Sequence, residues 1–94
     1  MVTLDTLEGM INGTVSYHYD ATADVLYLRR ASTLDVPTLG EETDDGLIEL
    51  RDERTRQLVG ITVVSWWKRF GQGPFPDSLR DIEQRIEPWA QRAA

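Results

Sequence analysis

A change of hydrophobic period along the chain is the feature that most limits its possible folds. From residue 14 to residue 64, apolar side chains alternate with polar ones or form short β-rich runs, as strands do. From residue 79 onward, apolar side chains recur every three or four positions, as on one helix face. The sequence therefore predicts a β-hairpin core over residues 14–64 and a helical C-terminal extension over residues 65–94.

Two hairpins account for the β-pattern. The first pairs residues 15–20 with residues 25–28 across an Asp-containing turn at residues 20–24. The second pairs residues 47–51 with residues 58–64 across a polar turn. We expect these hairpins to form a small antiparallel sheet.

The N-terminal segment admits two interpretations. Leu4, Leu7 and Ile11 fall at helical spacing, whereas Asn12-Gly13 between apolar flanks is a hairpin signal. We expect a short helix over residues 3–12 that ends at Gly13.

The C-terminal third predicts helices. A short helical turn is expected over residues 66–70, capped by Ser65, and a longer helix begins at Asp77 or Ser78. Pro88 is expected to bend or stop this helix. Its apolar face consists of Leu79, Ile82, Ile86 and Trp89. One helix on one face of a small sheet gives a two-layer α+β fold, a single domain over residues 1–94.

Composition removes several classes of function. The chain has no Cys, which excludes disulfides, thiolate metal sites and cysteine nucleophiles. Its net charge of -6 disfavours a nucleic-acid partner. The sequence contains no Gly-rich phosphate loop, nucleophile elbow or His-Glu-x-x-His motif. We therefore expect no enzyme activity and no cofactor.

The sequence also predicts a cytoplasmic protein without membrane contact. The most apolar run, residues 58–67, is about half the ~20 residues that span a bilayer. Asp5 stands where a secretory signal has a basic residue.

A series of short motifs over residues 17–66 resembles a family of short bacterial proteins, domain-of-unknown-function family 2283. The motifs are Tyr19-Asp20, Asp24-Val-Leu-Tyr-Leu28, Asp45-Gly46-Leu-Ile and Leu58-Val-Gly-Ile61. The resemblance implies a compact sheet of hairpins with helical additions, and no assigned activity. An association of some members with toxin-like proteins implies an antitoxin-like or immunity-like role. The chain departs from the family pattern at Thr62 and at Arg54-Thr-Arg56.

His18, Asp20 and Asp24 are the candidates for a metal or catalytic cluster. Asp20 shares a strand face with His18, and the turn could bring Asp24 close to either. Turn Asp residues also accept hydrogen bonds from nearby backbone N–H groups, which is a sufficient local reason for them. We favour that interpretation, with His18 on the solvent face. A small enzyme or a ligand-binding or metal-binding domain built on these three residues is the alternative function.

Surplus aromatic residues near the end of the sheet predict an interface. The two adjacent Trp side chains must point in different directions, and Trp is enriched at contact hot spots. Lys68 and Arg69 beside these rings also suit single-stranded nucleic acid, but the acidic composition disfavours it. We expect a homodimer. The candidate interface residues are Trp66, Trp67, Phe70 and Phe75.

The polar stretch over residues 31–45 predicts an exposed loop with an edge strand near residues 34–36. It ends in an acidic cluster without the ligand order of an EF-hand. In an antitoxin-like protein, this cluster would steer a basic partner such as a toxin. The acidic residues are Glu41, Glu42, Asp44 and Asp45. The sequence thus favours a non-catalytic protein–protein interaction module.

Overall fold

The computed structural model describes residues 6–94, which form one antiparallel sheet and two α-helices. The strands are β1 (Thr6–Ile11), β2 (Val15–Asp20), β3 (Val25–Arg30), β4 (Thr38–Glu42), β5 (Leu47–Asp52) and β6 (Leu58–Val64). The helices are α1 (Trp66–Phe70) and α2 (Leu79–Ala93), with a 3-10 turn at Ala31–Thr33. The α+β prediction is confirmed, but two hairpins understate a six-stranded sheet.

Both predicted hairpins form, and they join edge to edge in the middle of the sheet. The strand order is β1-β2-β3-β6-β5-β4, with every neighbouring pair antiparallel. The central contact pairs β3 with β6, with Leu28 opposite Ile61 and Leu26 opposite Val63. The longest apolar runs in the sequence therefore occupy the centre, where both edges of each strand are hydrogen-bonded.

The prediction of an N-terminal helix is wrong for the described part of this segment. Residues 6–11 form edge strand β1, while Leu4 lies outside the described residues. Asn12 and Gly13 both have positive φ, 54° and 68°, and the Thr14 N–H donates to the Ile11 carbonyl at 3.1 Å. This is the turn that Asn-Gly favours between paired strands, and pairing with β2 outweighs the helical spacing.

The second edge strand also differs from the expectation. It covers residues 38–42 rather than 34–36, and the chain before it is fixed by a side chain of β3. The Arg29 guanidinium donates to the Thr33 carbonyl at 2.6 Å and to the Val36 carbonyl at 2.7 Å. These carbonyls precede Pro37, so the segment is shaped by a long side chain rather than by strand pairing.

Helix α2 covers one face of the sheet over β1, β2, β3 and β6. Its buried residues are Ile82, Ile86, Ala90 and Ala93. Ile82 and Ile86 are buried, as predicted for the apolar face of this helix, but Leu79 is 51% exposed. Ser78 begins the helix, its hydroxyl accepting from the Asp81 N–H at 3.5 Å. Among residues 6–94, neither helix combines the length and apolar character that crossing a bilayer requires.

Pro88 does not stop α2, which continues through it to Ala93. Pro88 and Gln84, the residue whose carbonyl loses its donor, are both exposed. Water can satisfy that carbonyl, and burial of Ala90 and Ala93 holds the last turn on the sheet.

We predict that Gly60→Ala destabilises the protein by about 1–3 kcal/mol, because overpacking a sheet interior forces backbone shifts. A Cβ at Gly60 would lie 2.6 Å from the Leu28 backbone oxygen, which cannot rotate away. Gly40→Ala is the matched control beside the same Leu50 side chain, since its Cβ would meet nothing closer than 3.4 Å. Urea unfolding at one protein concentration compares the two. Equal losses of unfolding free energy would contradict the steric explanation.

Candidate interaction surfaces

His18, Asp20 and Asp24, the candidates for a metal or catalytic cluster, have separate hydrogen-bond partners in the structure. The His18 Nδ1 atom lies 2.7 Å from a Glu8 carboxylate oxygen, and the His18 ring packs edge-on against Tyr27. Asp20 accepts from the Ala23 N–H at 3.1 Å, as expected of a turn residue. No group of three or more His, Cys, Asp or Glu side chains suited to a metal ion occurs within residues 6–94.

Asp24, the last residue of the turn between β2 and β3, instead caps helix α1. One carboxylate oxygen accepts from the Tyr19 hydroxyl at 2.7 Å and from the Trp67 N–H at 2.9 Å. The other accepts from the Lys68 N–H at 3.0 Å. The Asp24 carbonyl also accepts from the Trp66 N–H at 3.0 Å. Asp24 thus satisfies N–H groups that the first turn of a helix leaves without partners.

Ser65, the predicted cap, makes no side-chain hydrogen bond to the helix and has a φ of 56°. It serves as the sharp bend between β6 and α1.

Partial burial alone would raise the pKa of Asp24. The hydrogen bonds from Tyr19, Trp67 and Lys68, together with the Lys68 charge, hold that pKa below its ordinary value. Burial and the bond to Asp24 also raise the pKa of Tyr19, so the pair stays a phenol and a carboxylate near neutral pH.

The four predicted interface residues separate into different environments. Trp66 is 2% exposed and packs edge-on against Tyr19, so it belongs to the core rather than to an accessible surface. Phe75 stacks on Tyr19 with ring centres 5.5 Å apart and contacts Trp67 at 5.1 Å. Phe70 is 43% exposed. Only Trp67, Phe70 and Phe75 therefore remain as surface candidates.

Phe75 separates two clefts that are open to solvent. A cleft of about 420 Å³ is lined by Tyr19, Ala21, Asp24, Trp67, Lys68 and Phe75. The other, of about 320 Å³, has largely apolar walls that include Leu7, Leu79 and Ile82. Because the Asp24 carboxylate already accepts three hydrogen bonds, the larger cleft offers no unengaged carboxylate for acid–base chemistry.

Trp89 is partly buried, and it packs against the core, as predicted, as well as against Phe70. Its ring lies 4.8 Å from that of Phe70, and the Arg92 guanidinium lies over it at 5.5 Å. Arg85 covers the Trp67 ring at 5.1 Å. The sequence indicated this surface through its helical spacing, which places three residues on one side of α2: Arg85, Trp89 and Arg92.

The sheet face opposite α2 has an apolar centre. Cross-strand pairs place Val25 beside Val64 and Tyr27 beside Thr62. Tyr27 is 44% exposed and Val64 43%, whereas Thr62 between Tyr27 and Ile48 is only 8% exposed. We call this the open sheet face; it consists of Val25, Tyr27, Ile48, Leu50, Thr62 and Val64. The sequence indicated this face through the largely apolar strands β3 and β6, because such strands place apolar residues on both faces of the sheet.

The acidic cluster occupies β4 and its turn to β5. The Asp45 carboxylate accepts from the Thr43 hydroxyl, and this bond lowers the pKa of Asp45, with a smaller contribution from the Arg92 and Arg69 charges. Glu41 lies 3.7 Å from Arg51.

Glu42 and Asp44 differ from the other two acidic residues. Within the described part of the chain, the structure records no side-chain hydrogen bond or ion pair for either. They are the solvated charges of this turn.

No protein-family model, no curated protein and no solved structure matches the chain significantly. The resemblance to family 2283 stays a prediction.

We predict that Asp24→Ala destabilises the protein by about 2–3 kcal/mol, because it removes a helix cap and leaves the buried Tyr19 hydroxyl unpaired. Asp20→Ala, which removes one local turn bond, is the control and should cost about 1 kcal/mol or less. Urea unfolding at pH 7 measures both, and equal losses would contradict the capping role.

The same site predicts a pH dependence. Because the folded pKa of Asp24 is lowered, its stabilisation is complete above the ordinary carboxyl pKa and is lost as pH falls through the folded value. Asp24→Asn should therefore lose less unfolding free energy than wild type on acidification. An unchanged acid dependence would contradict this assignment.

Proposed function

We propose that this chain is a non-catalytic protein–protein interaction module that forms a homodimer through its open sheet face. The observation that supports it is the one-sided helix layer. Helix α2 packs on β1, β2, β3 and β6 from one side, and the other side keeps two half-exposed apolar residues, Tyr27 in central strand β3 and Val64 at the end of central strand β6. An apolar patch with a polar rim is typical of a protein interface.

The area of the sheet suits a dimer. The sheet has six strands of five to seven residues. At about 4.8 Å between strands and 3.3 Å per residue, it spans nearly 600 Å². A standard interface buries about 800 Å² per partner, so this face and its rim supply most of the required area.

A second copy is the occupant that the chemistry of this face favours. The six residues that define it are uncharged. Arg29 shares this face beside Gly60, and its guanidinium is held by the Thr33 and Val36 carbonyls. Sheets pack face to face at about 10 Å, and a twofold axis brings the same patch from both chains together. His18 and Glu8 form part of the rim, where their hydrogen-bonded side chains can stay hydrated.

We predict that the wild-type protein has twice the 10.7 kDa chain mass at micromolar concentration and that Val64→Lys reduces it to the monomer. A lysine at this end of central strand β6 would put an unpaired charge into a packed sheet interface. Leu79→Lys, at a similarly exposed apolar position on α2, is the matched control and should remain dimeric. Light scattering coupled to size exclusion gives the masses. A wild-type monomer, or equal effects of the two variants, would contradict the proposal.

The antitoxin-like role is the finer proposal, with a basic protein as partner. Residues 1–65 carry 12 acidic and 5 basic side chains, so most of the negative charge belongs to the sheet part of the sequence. Glu42 and Asp44 add solvated charges at one end of this region. Such charges accelerate encounter with a basic partner, as expected for a nuclease toxin. The alternative, a ligand-binding domain, would use the clefts beside Phe75 rather than His18.

We predict that Glu42→Gln with Asp44→Asn lowers the association rate with the adjacent gene product several-fold at low salt and changes the dissociation rate little. Glu53→Gln, an exposed acid on the β5–β6 turn, is the control. Stopped-flow fluorescence at two salt concentrations measures the rates. Absence of binding by the adjacent gene product would end the antitoxin proposal and leave the dimer proposal intact.

A further inference from the structure

Aromatic rings and guanidinium groups alternate along the outer side of the two helices. This aromatic–guanidinium strip consists of Trp67, Phe70, Arg85, Trp89 and Arg92. Arg85 lies over Trp67 at 5.1 Å, Arg92 over Trp89 at 5.5 Å, and Phe70 contacts Trp89 at 4.8 Å. The strip is formed by helices and is separate from the open sheet face.

Arg85 and Arg92 keep their N–H groups for a ligand. Within residues 6–94, no hydrogen bond or ion pair is recorded for either side chain. Arg69 differs, because its guanidinium donates to the Asp45 and Gly46 carbonyls. A guanidinium held over a ring loses rotational freedom but retains the planar edge that binds a carboxylate through two hydrogen bonds.

The spacing of the two arginines defines the geometry of a ligand. Arg85 and Arg92 are seven residues apart on one helix, which corresponds to about 10.5 Å along its axis. In a polyproline II peptide, which has three residues per turn and rises about 3.1 Å per residue, side chains three positions apart share one side and are separated by about 9 Å. Two carboxylates at that spacing would reach both guanidinium groups at once.

The surrounding charge favours a short acidic segment over a nucleic acid. Residues 66–94 carry 5 basic and 4 acidic side chains, and one of the acids, Glu83, is bound to the Tyr17 hydroxyl at 2.6 Å. A long polyanion that extended past the strip would meet the acidic turn, since Asp45 lies close enough to Arg92 to feel its charge. A short segment that ends at Arg92 meets Asp45 but not the other acidic residues of the turn, and Phe70 and Trp89 offer apolar contacts for its other side chains.

We propose that the aromatic–guanidinium strip docks an acidic segment of a partner protein in the polyproline II conformation, with carboxylates three residues apart bound by Arg85 and Arg92.

The test uses a fluorescein-labelled peptide of about twelve residues, a Glu-Thr-Ser repeat that places carboxylates at the inferred spacing. Fluorescence anisotropy with the full chain measures its binding, and the same repeat with Gln for Glu is the peptide control. We expect the Glu peptide to bind about tenfold or more tightly than the Gln peptide. No binding of the Glu peptide at about 1 mM protein would overturn the proposal.

Three variants separate docking from simple charge attraction. Arg85→Gln and Arg92→Gln should each weaken binding about tenfold. Arg80→Gln removes the same charge from the other side of α2, beside Met10 and Glu87, and should change binding less than about twofold. Circular dichroism verifies that each variant folds.

Two further outcomes would overturn the proposal. One is an equal loss in all three variants, which would show that only net charge matters. The other is tighter binding of an oligothymidylate of similar length than of the Glu peptide, which would assign the strip to nucleic acid.

Discussion

The structure depends on the fact that one helix has to cover six strands. Helix α2 has 15 residues, which gives about 22 Å of length at 1.5 Å per residue. It packs on β1, β2, β3 and β6 and leaves β4 and β5 largely uncovered. On the part of the covered side beyond β6, Arg51 forms ion pairs with Glu49 and Glu41 instead of an apolar layer. The opposite side has no helix at all among the described elements, so Thr62 is shielded only by its strand neighbours. The sheet therefore forms a stable layer, but one of its faces stays apolar and available for contact with another surface.

Asp24 determines where the helical part begins. It follows the β2–β3 turn at a φ of 57° and binds the start of α1 through both its carbonyl and its carboxylate. This fixes Trp66 in the core and directs Trp67 outward, where its indole N–H donates to the Gly73 carbonyl at 3.2 Å. The loop that carries Phe75 is thereby held against Tyr19. One carboxylate therefore organises both clefts and one end of the aromatic–guanidinium strip.

The parts of the fold that follow from local pattern were predictable, and those that depend on distant contacts were not. The pattern of apolar and polar residues predicted β2 and β3. The Asn12-Gly13 turn was also recognisable in the sequence, although the segment before it was assigned to a helix. The contact of Asp24 with Trp67 spans 43 residues, so no local signal distinguishes it from a turn aspartate. Trp89 fits the apolar period of α2 and is partly buried against the core, but the small residues Ala90 and Ala93 take the fully buried positions because they let the helix approach the sheet.

The two proposed surfaces constrain one another through the layer order. In a dimer packed through the open sheet faces, the helices lie on the outside of both copies, so the two aromatic–guanidinium strips point away from the interface. A partner with two acidic segments joined by a linker long enough to reach both strips would bind the second segment intramolecularly. Its affinity would then depend on dimerisation even though no strip residue contacts the second copy. A partner with one acidic segment would bind monomer and dimer alike, so the dependence of affinity on Val64→Lys distinguishes the two kinds of partner.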